Sequence, residues 1–464
     1  MEANGSQEPR PRHRSLSADQ ESLQPQPGDA MNKKGGWMTF PFLAVAMLGL
    51  GVARGGATSN FVVYLVKKYN VPRVDAAQIS SIAQGCLSLA PVGGAIIADA
   101  FFGCYPVVAV AMVFSVLALV MFTLTASLHG LRPAACPPGG AAGRPCEPAS
   151  TGQMAALYAA VFMLCVSAGG SAGDKDGDAD DSTSSLAAPS DSFSFLNRAA
   201  LITDGDVTNG SVQRPWRICT VREVEDFKAV LRILPLWTSS IVLSVAFGTQ
   251  INFTVLQALA MDRALGGGGF TVPAGSMTVV ILVSTVFSLV LLDRALLPLW
   301  RRLTGHTPTP LQRIGAGHAL AVLSLAASAA VEGRRMATVR EEAAADDPAW
   351  VSPLSATWLV LPLALAGAGE ALYFPGGVTL YYEEFPPPLR STSTGMVAVI
   401  IALGFYLSTA LVGVVRHATA WLPDNNMNAS RLENVYWLLA VMVAVNFVYY
   451  LLCAKLYKYQ KVGK

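Results

Sequence analysis

The sequence predicts an all-α polytopic membrane protein of about ten spanning helices, and three observations carry that expectation. Of 464 residues, 52% are hydrophobic and only 14% are charged, against roughly 25% charged usage in soluble domains. Mean hydropathy is +0.43. Apolar runs long enough for the ~20 residues a helix needs to cross the hydrocarbon recur along the chain. Between them lie short polar stretches in which Lys and Arg collect unevenly, the pattern that reports topology.

The same composition excludes several function classes. A net charge of +2 says little about partners, and no nucleic-acid partner is expected. The seven cysteines form no CxxC or Cys/His grouping, so neither a metal site nor a haem attachment is expected. There is no GxxxxGK[ST] phosphate loop, no GxSxG and no HExxH. The expectation is a protein without cofactor and without enzymatic chemistry.

Residues 1–36 are rich in Pro, Ser, Gln and Arg and read as a disordered cytoplasmic tail. Arg10, Arg12, Arg14, Lys33 and Lys34 precede the first span and favour a cytoplasmic N-terminus. Residues 37–65, 77–102, 105–128 and 153–172 follow as four spans, forming an N-terminal bundle over 37–172. Residues 227–261, 273–300, 311–331, 350–382, 394–415 and 433–456 form a six-span C-terminal bundle over 227–459. An even count returns the C-terminus, tail 460–464, to the cytoplasm. Lys455, Lys458, Lys461 and Lys464 agree with that, as do Arg301 and Arg302 after the sixth span.

Residues 173–226 divide the two bundles as a cytoplasmic linker, because GDKDGDADDSTSS cannot cross a bilayer. Its acidic run lacks the Gly at the sixth and the Glu at the twelfth position of an EF-hand loop, so a solvated linker is the better account. The loop 129–152 then faces outside, where Cys136 and Cys146 either close a disulfide or stay as two free thiols. Asn428-Ala429-Ser430 is a glycosylation sequon in the last outside loop.

Within the spans, Glu370 stands out. It is the one carboxylate near the middle of WLVLPLALAGAGEALYFPGGVTLYYEE, and an ionised acid there costs about 2.5–3.5 kcal/mol on insertion scales. Such residues face a bundle interior or a water-filled path, either as functional groups or as structural acids paired with a base. Arg54, the only charge in its span, attracts an anion or pairs with an acid. Thr249, Gln250, Asn252 and Gln257 are polar residues of the fifth span that either line a path or hold helices together.

Local motifs then narrow the reading. GGAIIADAFFGCY (Gly93 to Tyr105) resembles the G-x-x-x-D-x-x-G-R loop of the major facilitator superfamily, with Gly94, Asp99 and Gly103 as its structural residues and Cys104 at the Arg position. LRPAAC, FLNRAALI, WRICTVREVEDFK, MDR, VPAGSM and TPLQRIGAG resemble the plant nitrate and peptide transporters, the proton-dependent oligopeptide transporter family. GGWMTFPF and YLVKKYNVPRVDAAQIS resemble its nitrate excretion branch. The resemblance covers nearly everything from Trp37 onward. It implies alternating access in the plasma membrane, with nitrate and protons as the small partners and Asn60 and Tyr64 beside the substrate path.

Three departures from the family pattern qualify that implication. The E-x-x-E-R cluster of the first helix is replaced by Met47, Leu50 and Gly51, which disfavours a peptide or organic-solute symporter. No His lies between Phe227 and Asp262. After Gly169 and Gly170 the match resumes only at Phe193, so the fifth and sixth of twelve helices are absent and the N-terminal bundle is incomplete. Glu370 thereby loses the basic partner that the fourth helix supplies in relatives. A non-transporting isoform, or a chain that associates with other transporter chains, is the competing expectation.

Overall fold

The computed structural model describes residues 40–97, 101, 104–134, 147–169, 196, 207–208, 211–212, 220–265, 269–385, 390–423 and 426–457. The chain divides into two compact units, Met1–Ala53 and Arg54–Lys464. In the first, the described residues are the opening of helix α1 (Phe40–Lys68). The second contains the rest of α1 and everything discussed below.

The helices that follow are α2 (Arg73–Ile97), α3 (Cys104–Ser127), α4 (Thr151–Ala168), α5 (Val221–Leu259), α6 (Met277–Leu291), α7 (Leu297–Thr304), α8 (Pro310–Glu341), α9 (Val360–Glu384), α10 (Arg390–Ala418) and α11 (Leu432–Leu456). Among the described residues, nine helical stretches are long and apolar enough to cross a membrane, and α1, 29 residues long, is a further long helix. The protein is therefore a polytopic helical membrane protein. Between α4 and α5 no spanning helix occurs among the described residues; what is described there is a short antiparallel pair, β1 (Val207–Thr208) with β2 (Ser211–Val212).

Several helix starts are written in the sequence. Ser150 and Gln153 form a reciprocal capping box on α4, Thr220 and Glu223 do the same on α5, and Thr309 and Gln312 on α8. Each satisfies two backbone N–H groups that the first turn would otherwise leave open. Residues Leu292–Leu296 form a single π turn between α6 and α7, and the run ends at Gly305, whose φ of +76° is the left-handed helix stop that glycine adopts without strain. β3 (Met261–Asp262) pairs in parallel with β4 (Ser352–Ser355), tying the end of α5 to the approach to α9.

In the C-terminal half, α8 lies between α9 and α11, α5 packs on α10 and α11, and α6 packs on α9. Small residues allow the close crossings. A Cβ at Gly317 would come within 2.9 Å of the Tyr373 Cβ, and one at Gly404 would collide with Ser244. With lipid outside, such van der Waals fit is what holds spanning helices together. In the N-terminal half, α3 packs on α4, and α2 packs on α4, α5 and α10. Helix α2 is thus the main link between the two halves.

Candidate functional site

Arg54 and Glu370 both sit deep in their helices. Arg54 lies 14 residues from the start and end of α1, about 21 Å of helix rise from either terminus. It is half-buried, its Nη2 donates to the Ser167 carbonyl of α4 at 3.2 Å, and its Nε is buried without a partner. A buried polar atom left unpaired calls for an explanation in terms of an ion, a water or a ligand. Glu370 has one polar neighbour, the Thr285 hydroxyl of α6, 3.5 Å from its Oε2. It takes part in no ion pair among the described residues. Gly367, one turn earlier, has no room for a Cβ against the Ile281 carbonyl, and that close crossing brings Thr285 to the acid.

The four polar residues of α5 do not converge. Gln250 donates to Ser324 and Ser328 of α8 at 2.7 and 3.0 Å. Gln257 accepts from the Tyr436 hydroxyl of α11 at 3.4 Å, and its Nε2 is buried without a partner. Thr249 donates to its own helix at the Val245 carbonyl. Asn252 alone turns toward α2: its Nδ2 donates to the Ser81 hydroxyl at 2.8 Å and its Oδ1 receives Gln84 Nε2 at 3.4 Å. The helical period explains this division. Positions 250 and 257 are two turns apart on one face, whereas 252 is about 200° from 250.

Asn252 belongs to a polar seam along α2. At the end of α2 near the α1–α2 turn, Asp75 pairs with Arg416 of α10 at 2.5 Å, and Gln78 donates to the Thr409 carbonyl at 3.3 Å. Farther along come Ser81 and Gln84, then Cys86, whose thiol receives the Tyr406 hydroxyl at 3.3 Å. From Asp75 to Cys86 the seam runs about 16 Å. Gly85 makes the last contact possible, since a Cβ there would lie 2.7 Å from the Tyr406 ring.

Asn60 and Tyr64 are placed apart from this seam. Asn60 is exposed, donates to the Gly56 carbonyl at 3.1 Å, and lies over Gly275, where a Cβ would collide with its Oδ1. Tyr64 donates to Thr125 of α3 at 3.1 Å. Gly94 packs against Gly169 at a crossing of α2 with α4 too close for any Cβ. Asp99, Gly103, Cys136 and Cys146 lie outside the described residues, as does most of the linker 173–226.

One expectation is corrected. Asn428 is not available as a glycosylation site in this fold. Its side chain is 1% exposed, its Nδ2 donates to the Asp347 and Trp350 carbonyls at 2.9 and 3.0 Å, and its Oδ1 accepts from Arg335 at 2.8 Å. A glycan on that nitrogen would displace both carbonyls and expose the charge beneath.

That charge is one of the groups the sequence reading missed. Arg335 and Glu332, both fully buried on α8, pair at 2.6 Å, and the Met427 carbonyl receives a further bond at 2.9 Å. Opposite charges three apart inside an apolar run were the available signal. His318, also on α8, is stacked on Tyr450 at 4.6 Å between ring centres. Its Nδ1 lies 2.9 Å from the Ile314 carbonyl and its Nε2 is buried without a partner. Asp75 and Arg416 are 341 residues apart in sequence, and nothing local pairs them.

Comparison with known proteins follows the same lines. The family model described as PTR2: POT family matches residues 81–431. Protein NRT1/PTR FAMILY 2.3 of Arabidopsis thaliana is 36% identical over 544 aligned positions, spanning 94% of this chain and 95% of the relative. Protein NRT1/PTR FAMILY 2.7 of the same plant is 34% identical over 548 positions, spanning 97% of each. Both alignments are longer than this chain of 464 residues, so each relative carries residues without a counterpart in it. Among solved structures, the POT family transporter PepTSo aligns with a TM-score of 0.61 at 15% identity, over 91% of this chain and 98% of that one. An auto-inhibited POT family peptide transporter gives 0.57 at 15% identity, over 89% and 96%. At that identity the two structures speak for the fold.

Proposed function

The chain belongs to the POT family of transporters, and from that premise we propose that its substrate is nitrate, moved by alternating access as low-affinity, efflux-type transport across the plasma membrane. Both termini are cytoplasmic in this reading, because Lys and Arg collect before α1 and after α11. The observation that carries the proposal is Arg54: a lone guanidinium midway along a helix, with a buried Nε that meets no acceptor among the described residues. A planar guanidinium presents parallel N–H donors to a planar oxyanion, and a small monovalent anion balances its single charge. A peptide, with charge at both ends, would need acids beside it, and the two acidic positions of the family's E-x-x-E-R cluster hold Met47 and Leu50 here.

Glu370 is the group proposed to exchange a proton during the cycle, since it has a hydroxyl beside it and forms no ion pair among the described residues. Asn252, Gln84 and Tyr406 line the side of α2 that must part from α5 and α10 as the halves rock. Tyr64, Gln250 and Gln257 support the path by bonding to neighbouring helices, while Asn60 and Thr249, bonded to their own helices, stand as further polar groups along it.

Nitrate-loaded vesicles test both charged residues, using the chain with the two absent helices grafted back. Arg54→Gln is expected to lower nitrate efflux at least tenfold, with Arg54→Lys recovering part of it. Glu370→Gln, which keeps shape and removes charge, is expected to slow efflux and flatten its dependence on pH. Nitrate flux unchanged in Arg54→Gln would remove the basis of the substrate assignment.

A second reading is favoured by the absence, among the described residues, of a spanning helix between α4 and α5: the chain as it stands is a non-transporting form or a partner of complete transporters. Alternating access requires two bundles that seal a site between them. Efflux only from the completed version would support this second reading for the natural chain, and saturable efflux from the chain of 464 residues would refute it.

A further inference from the structure

A groove of about 540 Å³ opens between α7, α8 and α11. Its character changes along its length. Trp300, Thr309 and Gln312 line one end, and Ala316, Ala319 and Phe447 line the other. Gly315, Ala316 and Ala319 leave α8 without the bulk that would fill it. Tyr450 forms the opposite wall, held by its hydroxyl on the Leu311 carbonyl at 2.7 Å. From Thr309 to Ala319 the groove follows ten residues of α8, about 15 Å, which matches one leaflet of a hydrocarbon core of about 30 Å.

The polar end is also the basic end. Arg301 and Arg302 follow the lining residue Trp300 on α7, and Lys455 follows the lining residue Ala454 on α11. All three are exposed, and none forms an ion pair among the described residues. The N-terminus of α8 adds the positive end of its dipole there. Trp300, 44% exposed, has the amphipathic ring that settles at the headgroup level.

We propose that this groove binds one anionic glycerophospholipid, with an acyl chain lying along Gly315, Ala316 and Ala319 and the phosphate among Arg301, Arg302 and Lys455. An apolar groove alone would accept the chain of any lipid. Three uncompensated cations at its mouth select against a headgroup that carries its own ammonium, and basic pockets between spanning helices on the cytoplasmic side are known to hold anionic headgroups. With cytoplasmic termini the groove opens to that side. The inference concerns lipid recognition and does not depend on which solute is transported.

The purified chain in detergent, mixed with equal amounts of dioleoyl phosphatidylglycerol and dioleoyl phosphatidylcholine, is read by native mass spectrometry and by thermal shift. Phosphatidylglycerol is expected to be retained at least tenfold more than phosphatidylcholine and to raise the melting temperature. Arg301→Gln/Arg302→Gln/Lys455→Gln, all on exposed positions, is expected to abolish the preference while leaving the basal melting temperature unchanged. Ala316→Phe, which fills the groove, is expected to reduce retention of phosphatidylglycerol itself. Equal retention of the two lipids by the natural chain, or a preference that survives the triple variant, would overturn the proposal. Stabilisation by glycerol phosphate as large as that by the lipid would also overturn it, since the acyl groove would then contribute nothing.

Discussion

The two halves of the molecule solve the same packing problem to different degrees. In α8, α5 and α9, 56%, 50% and 44% of the most apolar window is buried inside the protein, while α6, α10 and α11 at 22%, 28% and 28% stay close to α2, α3 and α4 at 28%, 17% and 28%. The C-terminal half surrounds α8 with α9 and α11 and can enclose a buried ion pair, a histidine and a ladder of side-chain hydrogen bonds. Among the described residues the N-terminal half has the helices α1 to α4, and α3 turns Val113, Val116 and Val120 outward. Polar groups survive in a bilayer only where partners surround them. The difference teaches that a six-helix half can hold internal polar chemistry by itself, whereas a four-helix half leans on α2 and its contacts with the other half.

The sharpest way to break this comparison is within α8. Arg335→Met leaves Glu332 buried and unpaired, and breaking a buried pair from one side typically costs about 3–5 kcal/mol. A large fall in the melting temperature of the purified protein is expected, with Glu332→Gln/Arg335→Met recovering most of it because no naked charge remains. A stable single variant would mean that the C-terminal half is looser than its burial indicates.

Grafting in the family's fifth and sixth helices after Gly170 tests the other side. Amide exchange in α3 and α4 is expected to slow at least tenfold, and in α8 to stay the same, because only the N-terminal half gains neighbours. Exchange that is already equally slow in both halves of the natural chain would contradict the contrast.

The smallest effect is expected at the junction. Asp75 and Arg416 are 37% and 32% exposed at their side chains, and such half-exposed pairs contribute about 0.2–1 kcal/mol. Asp75→Asn should therefore raise labelling of a Gln78→Cys reporter by no more than about fivefold. The exchange Asp75→Arg/Arg416→Asp should return labelling to its starting level. No change in either variant would show that the halves are held by the Ser81, Asn252 and Tyr406 contacts alone.

Much of the fold was legible beforehand because a bilayer imposes it. A spanning helix must be about 20 apolar residues long and must satisfy its own backbone, so the apolar runs mark the helices, and Ser150, Thr220 and Thr309 mark where some begin. Gly94 was recognisable as a structural residue from its loop motif, whereas what Gly367 closely approaches, the Ile281 carbonyl, appeared only in the fold. The motifs carried family membership, and the gap in the match after Gly170 carried the expectation that two helices are absent.

Other features were decided only in three dimensions. Sequence presents Thr249, Gln250, Asn252 and Gln257 as one polar group, yet a rotation of about 100° per residue sends Gln250 and Gln257 into the C-terminal half and Asn252 toward α2. The sequon at Asn428 is a local pattern, and its burial over Arg335 depends on a loop folding back onto a helix about 90 residues earlier in the chain. The pairing of Asp75 with Arg416 is likewise invisible to any local reading. One-dimensional constraint comes from the membrane and acts on each segment alone, whereas partner choice among polar side chains comes from packing, which no segment carries by itself.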